Sequence, residues 1–449
     1  MSKEAFANNV ALRVIDKCSG LRVRKYHRLY RAALNWRRQR IEAYQLERMR
    51  ALLRHAYDNV PFYHARFVRS RLTPDSFNSF KDLRRLPLLT RTDLRDSLDD
   101  LLAEDFRAFG ASQHTSSGTT GIPITYYKDT NARSADIAAT YFMWNLSGCS
   151  VGEKRFHVWG TPDSAAQWHR LGSRLKRKLL NAKYFPAGSL DDDRSYQSAV
   201  RMINSYKPEL IDGYTSSIYT IAKYALDRNI KMHRPKKVLT TAENLYTYQR
   251  EIIEGVLGPV RDVYGCGEIN GVAVECLEKN YHIIEPRVYV EYEDSISGNS
   301  TKRIVLTDLE NYAMPFIRYE VGDMFDGIDH TQQCKCGLES PYFREIVGRT
   351  SELIKLPNGM VISPVTVFGG AAFRKVHNFN KHQTIWNGKY LIFVFEVTDS
   401  FTQEDKSELE SIIRALLRRY SVGYRLRITE KIESRSSKFQ YFKNDYDAN

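Results

Sequence analysis

The sequence predicts an α/β protein with a large N-terminal domain and a small C-terminal α+β domain. Helix-like segments alternate with short apolar runs in the middle third, β-branched and tyrosine-rich runs follow from residue 282, and a strand–helix–strand pattern closes the chain. With 449 residues and 42% hydrophobic content, the chain exceeds what one core usually covers. We expect parallel and mixed sheets plus a β subdomain in residues 1–348, and the second domain in residues 349–449.

The first predicted elements are helices. Apolar side chains recur at helical spacing between residues 38 and 59, and Pro61 ends the pattern because proline cannot continue a helix. Residues 86–94 then read as an extended approach with a Thr or Asp cap that starts another helix.

The middle third supplies the predicted α/β core. Helices are expected at 196–206, 217–227 and 248–257, and apolar strands at 238–241 and 260–264. This alternation favours parallel strands joined by crossover helices.

The last third reads as mostly strands. The β subdomain is expected at 282–293 and 303–309. The C-terminal domain is expected to contain short strands at 353–356 and 360–362, a strongly apolar strand at 390–397, a helix with Leu409, Ile413 and Leu416 on one face, and a strand at 424–429.

The net charge of +14 indicates a partner that presents phosphate, which is nucleic acid, anionic lipid or a phosphorylated substrate. Basic residues concentrate between Arg22 and Arg54 and within residues 168–180. The second segment has two interpretations, a solvated face over a packed apolar stripe or a peripheral contact with an anionic membrane surface. No nucleic-acid module is recognisable, so we expect no nucleic-acid partner.

Targeting signals do not stand out. The first residues show no basic-then-apolar leader, and no apolar run reaches the roughly 18 residues of a membrane span. We expect a cytoplasmic protein, with the inner membrane surface as the alternative site of peripheral contact.

Residues 115–123, which read TSSGTTGIP, form the most informative segment. Hydroxyl groups offer hydrogen bonds to phosphoryl oxygens, and glycines let backbone N–H groups approach an anion closely. The segment lacks the lysine of a Walker loop. It predicts a phosphate-binding loop of another type, with an ordinary surface turn as the alternative.

Four later segments follow this loop in a recognisable order. They read TTAENL at 240–245, DVYGCGE at 262–268, PFIRYEVGD at 315–323 and GRTSE at 348–352, and a late Lys438 follows them. The series resembles the adenylate-forming enzyme superfamily, specifically its phenylacetate-CoA ligase and CapK-like branch. The resemblance covers residues 30–445 and implies a small mobile C-terminal domain.

The resemblance implies roles for individual residues. The β- and γ-phosphates of ATP would lie against the loop, Glu268 would hold Mg²⁺, and Lys438 would reach in from the C-terminal domain to stabilise charge on the α-phosphate and carboxylate. The expected catalytic residues are Lys438, Glu268 and Thr119. The expected nucleotide-binding residues are Ser116, Ser117, Gly118, Thr120, Gly121, Tyr264, Gly265, Asp323 and Arg349. Among these, Tyr264 would stack on adenine and Asp323 would accept both ribose hydroxyls.

Cys276, His282, Cys334 and Cys336 form a second constellation. Three thiolates and one imidazole satisfy tetrahedral Zn²⁺ and leave no open position, so a bound zinc would be structural. The resemblance implies the same kind of site. The alternative is a set of buried free cysteines beside a hydrogen-bonded histidine.

The implied reaction joins a carboxylic acid to ATP and then transfers the acyl group. Coenzyme A is the leading acceptor, and an amine or hydroxyl of a sugar or cell-surface glycan is the CapK-like alternative. An apolar acid would need an apolar pocket, for which Tyr214, Phe142, Trp144 and Trp159 are candidates. The competing class is a non-catalytic protein that uses its positive charge to bind nucleic acid or membranes.

Overall fold

A computed structural model gives the architecture. It describes residues 3–116, 124–160, 180–190, 192–294, 301–329, 333–356, 361–362, 373, 376, 378–418, 420, 422–432 and 439–446. Of the basic segment at 168–180, only Leu180 is among them.

Six helices form the N-terminal part. They are α1 Lys3–Ser19, α2 Val23–Ala33, α3 Arg38–Asn59, α4 Pro61–Arg69, α5 Phe80–Leu83 and α6 Arg91–Asp96. Helix α3 has the predicted bounds. Helix α6 begins where the sequence predicts a cap, because the Thr90 hydroxyl accepts the Asp93 N–H at 3.2 Å. Helices α1 and α2 were not predicted.

An eight-stranded mixed sheet forms the centre, in the order β13-β9-β8-β7-β6-β5-β3-β4. Its strands are β3 Arg155–Val158, β4 Ala182–Phe185, β5 Leu210–Tyr214, β6 Lys237–Thr241, β7 Val260–Tyr264, β8 Ala273–Glu275, β9 Tyr281–Ile283 and β13 Tyr342–Phe343. Strands β3 to β7 are parallel, and β8, β9 and β13 extend the sheet antiparallel. The associated helices are α7 Thr130–Leu146, α8 Asp193–Tyr206, α9 Thr215–Asp227 and α10 Thr247–Val256. The predicted parallel core with crossover helices is confirmed.

Two smaller antiparallel sheets flank this centre. Strands β1 Ser112–Thr115 and β2 Thr125–Lys128 pair as a hairpin. Strands β10 Val288–Asp294, β11 Lys302–Asp308, β12 Tyr319–Phe325 and β14 Ile346–Arg349 form the predicted β subdomain. The predicted strand at 282–293 is wrong as one element: Pro286 lies in a turn closed by the Arg287 N–H on the Ile284 carbonyl, and β9 and β10 join different sheets.

In the described residues of the C-terminal part, strands and one helix surround an apolar cluster of their own. Strands β15 Ile354–Lys355 and β16 Val361–Ile362 pair with each other, and the second sheet has the order β19-β18-β17-β20. Its elements are β17 Phe379–Trp386, β18 Tyr390–Val397, α11 Gln403–Leu417, β19 Gly423–Thr429 and β20 Phe442–Asn444. Their apolar faces meet around Phe393, Leu409 and Ile413, all fully buried. The predicted α/β class with a C-terminal α+β part is confirmed, whereas the boundary at 348/349 stays a prediction.

Among the described residues, no helix combines the length and the apolar composition that a bilayer crossing requires.

Candidate active site

The carboxyl ends of the parallel strands meet at one edge of the central sheet. Trp159 follows β3, Tyr214 ends β5, Glu243 follows β6 and residues 265–268 follow β7. Open α/β sheets bind ligands in the crevice outside the carboxyl ends of their strands. The topology therefore brings segments that are distant in sequence to one candidate active site.

Tyr264, Asp323 and Arg349 form a contiguous group at this edge. The Tyr264 hydroxyl donates to Asp323 Oδ2 at 2.9 Å, and Arg349 Nε lies 3.2 Å from Asp323 Oδ1. Asp323 on β12 and Arg349 on β14 are register partners, which fixes their proximity. Burial, and then the charge of Asp323, raises the pKa of Tyr264, so its hydroxyl stays protonated and donates.

Glu268 is buried beside a tyrosine and an arginine. The Tyr319 hydroxyl donates to Glu268 Oε1 at 3.2 Å, and Arg91 Nη1 lies 3.9 Å from the same oxygen. Arg91 was not among the predicted site residues, although it lies in the segment 86–94, where a capped helix start was predicted. A guanidinium at this position adds a partly exposed cation to the edge that carries the acidic groups.

The hairpin β1–β2 brings the base of the hydroxyl-rich loop to the same place. Ser116 closes the hairpin: its N–H donates to the Ile124 carbonyl at 2.9 Å, and its hydroxyl accepts the Ile124 N–H at 3.0 Å. Tyr126 lies on the strand after the loop and packs closely against Gly267. A Cβ atom added to Gly267 would lie only 3.1 Å from the Tyr126 hydroxyl. Ser117, Gly118, Thr119, Thr120 and Gly121 lie outside the described residues.

The five-residue segment from Tyr264 to Glu268 therefore touches both predicted nucleotide-binding regions. Its first residue contacts Asp323, and Gly267 lies against Tyr126 at the end of the loop hairpin. Gly265 has a packing reason of its own, because a Cβ there would lie 2.9 Å from the Gly271 nitrogen.

The C-terminal segment also reaches this edge. The Phe439 N–H donates to Glu243 Oε1 at 3.2 Å, while the Ser216 N–H at the start of α9 donates to Glu243 Oε2 at 2.7 Å. Gln249 Nε2 donates to the Tyr441 hydroxyl at 2.8 Å. Lys438 lies outside the described residues, but it is covalently bonded to Phe439.

The sequence is similar to those of known enzymes and of Protein CapK. The phenylacetate-coenzyme A ligase of Thermus thermophilus is 27% identical over 74% of this chain and 75% of its own length. Protein CapK of Staphylococcus aureus is 24% identical over 74% of this chain and 73% of its own length. No family model matches the sequence.

A solved 2-hydroxyisobutyryl-CoA ligase shares the fold. In its postadenylation state with R3-HIB-AMP, it superposes with a TM-score of 0.72 at 18% identity, covering 90% of this chain and 89% of its own. The same ligase with 2-HIB-AMP and CoA in its thioesterification state gives a TM-score of 0.58 at 20% identity, covering 91% of each chain. Over about three quarters of its length, this chain is therefore similar to the phenylacetate-CoA ligase and CapK branch of the adenylate-forming superfamily.

The four candidate residues for an acyl pocket do not lie together. Trp159 and Tyr214 lie together at the sheet edge, with ring centroids 4.1 Å apart. Phe142 and Trp144 lie on α7 in a different apolar cluster, where Phe142 contacts Tyr30 of α2. Only the Trp159–Tyr214 pair therefore remains at the edge that carries the nucleotide-binding candidates.

A buried ion pair supports the strands beside that aromatic pair. Arg155 Nε and Asp212 Oδ1 are 2.5 Å apart, and His157 Nδ1 lies 2.9 Å from Asp212 Oδ2. Burial lowers the pKa of His157 despite the neighbouring carboxylate, so the imidazole is neutral at neutral pH. The His157 ring stacks on Trp159 at 5.5 Å, which fixes the tryptophan near the edge.

The structure also contains the predicted Cys/His cluster. The ligand atoms of Cys276, His282, Cys334 and Cys336 all lie within 4.8 Å of one another. Cys276 Sγ and Cys334 Sγ are 3.7 Å apart, and Cys336 Sγ lies 3.3 Å from His282 Nε2. Two thiolates on a tetrahedral Zn²⁺ with bonds of about 2.3 Å are about 3.8 Å apart, so the four residues fit zinc.

The surroundings of the cluster suit a metal ligand set. The other ring nitrogen of His282, Nδ1, donates to the Ser340 carbonyl at 3.0 Å and leaves Nε2 directed at the cysteines. Asn280 Nδ2 donates to Cys334 Sγ at 3.3 Å. Burial lowers the pKa of His282, which keeps the imidazole in the neutral form that binds metals.

Proposed function

We propose that the protein is an AMP-forming carboxylic acid–CoA ligase. The observation that carries the proposal is the segment from Tyr264 to Glu268, which contacts Asp323 and also lies against the hairpin of the hydroxyl-rich loop. A single nucleotide along this segment would have its ribose at one end and its phosphates at the other. The 27% identity to a phenylacetate-coenzyme A ligase supports the same reaction class.

The reaction has two balanced steps. A carboxylate oxygen of the acid attacks the α-phosphorus of ATP, the bond to the bridging oxygen breaks, and pyrophosphate leaves. The thiolate sulfur of CoA then attacks the acyl carbon, the bond to the AMP oxygen breaks, and AMP leaves with that electron pair. The first step concentrates negative charge on the phosphate groups, so preorganised cations and N–H donors would lower its barrier.

The site residues would divide these tasks. Asp323 would accept the ribose hydroxyls, with Tyr264 and Arg349 fixing its two oxygens. Glu268 would hold Mg²⁺, whose charge would neutralise phosphate oxygens. Ser116, Ser117, Thr119 and Thr120 would contact the β- and γ-phosphates, and Lys438 would stabilise charge on the α-phosphate and carboxylate.

Zinc would have a separate, structural role. Cys276, His282, Cys334 and Cys336 supply four ligands, so a bound zinc has no open position for substrate. Cys276 and His282 flank the turn between β8 and β9, and both other cysteines precede β13. The ion would therefore tie the antiparallel end of the central sheet together.

A sugar or glycan acceptor is the second candidate, favoured by the 24% identity to Protein CapK over 74% of this chain. The two candidates share the adenylation step and differ only in the nucleophile of the second step. An acceptor test therefore separates them without altering the adenylation proposal.

The experiment measures pyrophosphate release from ATP with aryl, hydroxy and fatty acids, first with hydroxylamine as an acyl trap and then with CoA. We expect acid-dependent pyrophosphate release that is lost in Asp323→Ala and retained in the exposed control Asp399→Ala. CoA thioester formation supports the ligase. Acyl-hydroxamate formation without any thioester would reject CoA as acceptor and favour the glycan. No acid-dependent pyrophosphate release from any acid would overturn the proposal.

A further inference from the structure

The positive charge of the chain is concentrated at its beginning. Residues 1–54 contain fourteen Lys and Arg residues against four Asp and Glu residues, so this segment supplies +10 of the net charge of +14. None of the predicted nucleotide-binding residues lies in this segment. The concentration therefore needs a different explanation from phosphate binding at the active site.

Helix α2 presents much of this charge on one face. Val23, Tyr26 and Tyr30 are buried. Lys25, Arg28 and Arg31 follow one another at three-residue spacing on the exposed face. Within the part of the chain that the structure describes, these three side chains form no ion pair.

Nearby carboxylates are mostly engaged elsewhere. Asp16 accepts the Val23 N–H at 2.7 Å, which caps α2, and Glu310 is bound by the Tyr26 hydroxyl and by Arg48. Glu47, like Asp16 and Glu310, lines an open cleft of about 870 Å³ between α2 and α3. The face of α2 therefore keeps a net positive charge.

Apolar side chains lie at the end of this basic face. Leu34, in the turn between α2 and α3, is 43% exposed, and Trp36 is half-buried under the Arg40 guanidinium, which lies 4.3 Å from its ring centroid. The turn borders an apolar hollow of about 60 Å³. Basic residues flanking an exposed leucine and a tryptophan suit the boundary between lipid headgroups and acyl chains.

We propose that α2 and the α2–α3 turn dock the protein on a membrane surface of anionic phospholipid. Lys25, Arg28 and Arg31 would lie among the headgroup phosphates, and Leu34 would enter the acyl boundary. Charge complementarity selects an anionic surface, and the apolar turn favours a bilayer over a nucleic acid, whose phosphates offer nothing to Leu34.

The experiment is co-sedimentation of the full chain with vesicles of phosphatidylcholine containing about 30% phosphatidylglycerol, at about 0.05 M and about 0.5 M NaCl. We expect binding at low salt and little at high salt. The variant Lys25→Gln/Arg28→Gln/Arg31→Gln should bind roughly 100-fold more weakly, since each cation contributes about fivefold near an anionic surface. Leu34→Gln should weaken binding less.

The matched control neutralises three exposed basic residues elsewhere, Arg194→Gln/Arg201→Gln/Lys231→Gln. It should bind like the unchanged protein, and both triple variants should keep the same melting temperature. An equal loss of vesicle binding in both triple variants would mean that binding depends only on the total charge of the protein, which would overturn the proposal. Equal binding to pure phosphatidylcholine vesicles, or complete displacement by low transfer-RNA concentrations, would also overturn it. None of these readouts depends on ligase activity.

Discussion

The Phe439 N–H donates to the Glu243 carboxylate at 3.2 Å, across 196 residues of sequence. The other oxygen of Glu243 holds the first turn of α9 through the Ser216 N–H, so the carboxylate joins the C-terminal segment to the central sheet. The neighbouring Ala242 has a φ of +68°, a backbone conformation that non-glycine residues rarely adopt. Because Phe439 follows Lys438 directly in the sequence, we expect Glu243 to help position that lysine.

We expect Glu243→Gln to slow acyl-adenylate formation about tenfold to a hundredfold, because a hydrogen bond to a charged group contributes about 1.5–3 kcal/mol. Thioester formation from preformed acyl-adenylate should change less than about twofold, since Lys438 is expected to act in the first step. Single-turnover measurements of the two steps test this. Equal slowing of both would assign Glu243 a structural role instead.

Asp323 is the expected ribose acceptor, and its oxygens are already oriented by Tyr264 and Arg349. We expect Asp323→Ala to raise the Kd for ATP at least about tenfold, because two charge-assisted hydrogen bonds are lost. Tyr264→Phe removes one of the groups that orient the carboxylate and should have a smaller effect. Calorimetric titration with ATP measures both, and an unchanged Kd in Asp323→Ala would place the ribose elsewhere.

Local sequence patterns predicted several elements with their bounds. Helix α3, strand β7 and strand β18 match residue for residue, because each has a clear periodicity or a continuous apolar run between turn residues. Strand β17 was missed, since FNKHQTIW at 379–386 shows no clean alternation even though His382, Gln383 and Thr384 are buried. Burial of such polar residues depends on tertiary neighbours that local periodicity does not encode.

The motif series likewise predicted more of the site's composition than of its contacts. Asp323 and Tyr264 were assigned separate tasks, and only the structure shows their hydrogen bond. The Arg91–Glu268 and Glu243–Phe439 contacts were missed because each joins residues more than 170 positions apart in the sequence. A register pair such as Asp323 and Arg349 follows from strand pairing, which a single sequence does not reveal.

The Cys/His cluster gives a metal prediction. We expect purified protein to contain about one zinc per chain by emission spectrometry, because four ligands complete a tetrahedral site. Cys334→Ala should lose the metal and lower the melting temperature, while Cys18→Ala, at an exposed cysteine outside the cluster, should change neither. ATP affinity below the melting temperature should persist in Cys334→Ala. Full stability without metal would reject the structural zinc.

Arg287 holds a buried ionic network together. It is fully buried, pairs with Asp308, and lies 2.8 Å from Asp136, whose other oxygen is 2.5 Å from Lys128 Nζ. We expect Asp308→Leu to lower the free energy of unfolding by about 3–5 kcal/mol, because it leaves the buried charge of Arg287 without its main partner. Arg287→Met/Asp308→Leu should cost less than the sum of its single changes. Urea unfolding of the unchanged protein, the two single variants and the double variant measures this coupling. Losses of unfolding free energy that simply add would contradict a direct interaction between Arg287 and Asp308.

Because His382 is buried, we expect the C-terminal part to be less stable at acidic pH. Its ring is buried against Phe395, with centroids 5.7 Å apart, and burial lowers the pKa of His382 to about 4. A histidine whose pKa is lower when folded favours the folded state above its usual pKa of 6.5 and loses that contribution as the pH falls towards 4. As the pH falls from 7 to 5, this residue should therefore lower the free energy of unfolding by about 2 kcal/mol.

His382→Phe should remove that part of the pH dependence, whereas His64→Gln, at an exposed histidine, should retain it. Urea titrations at the two pH values compare the three proteins, and an equal pH dependence in His382→Phe would show that the buried imidazole is not the titrating group.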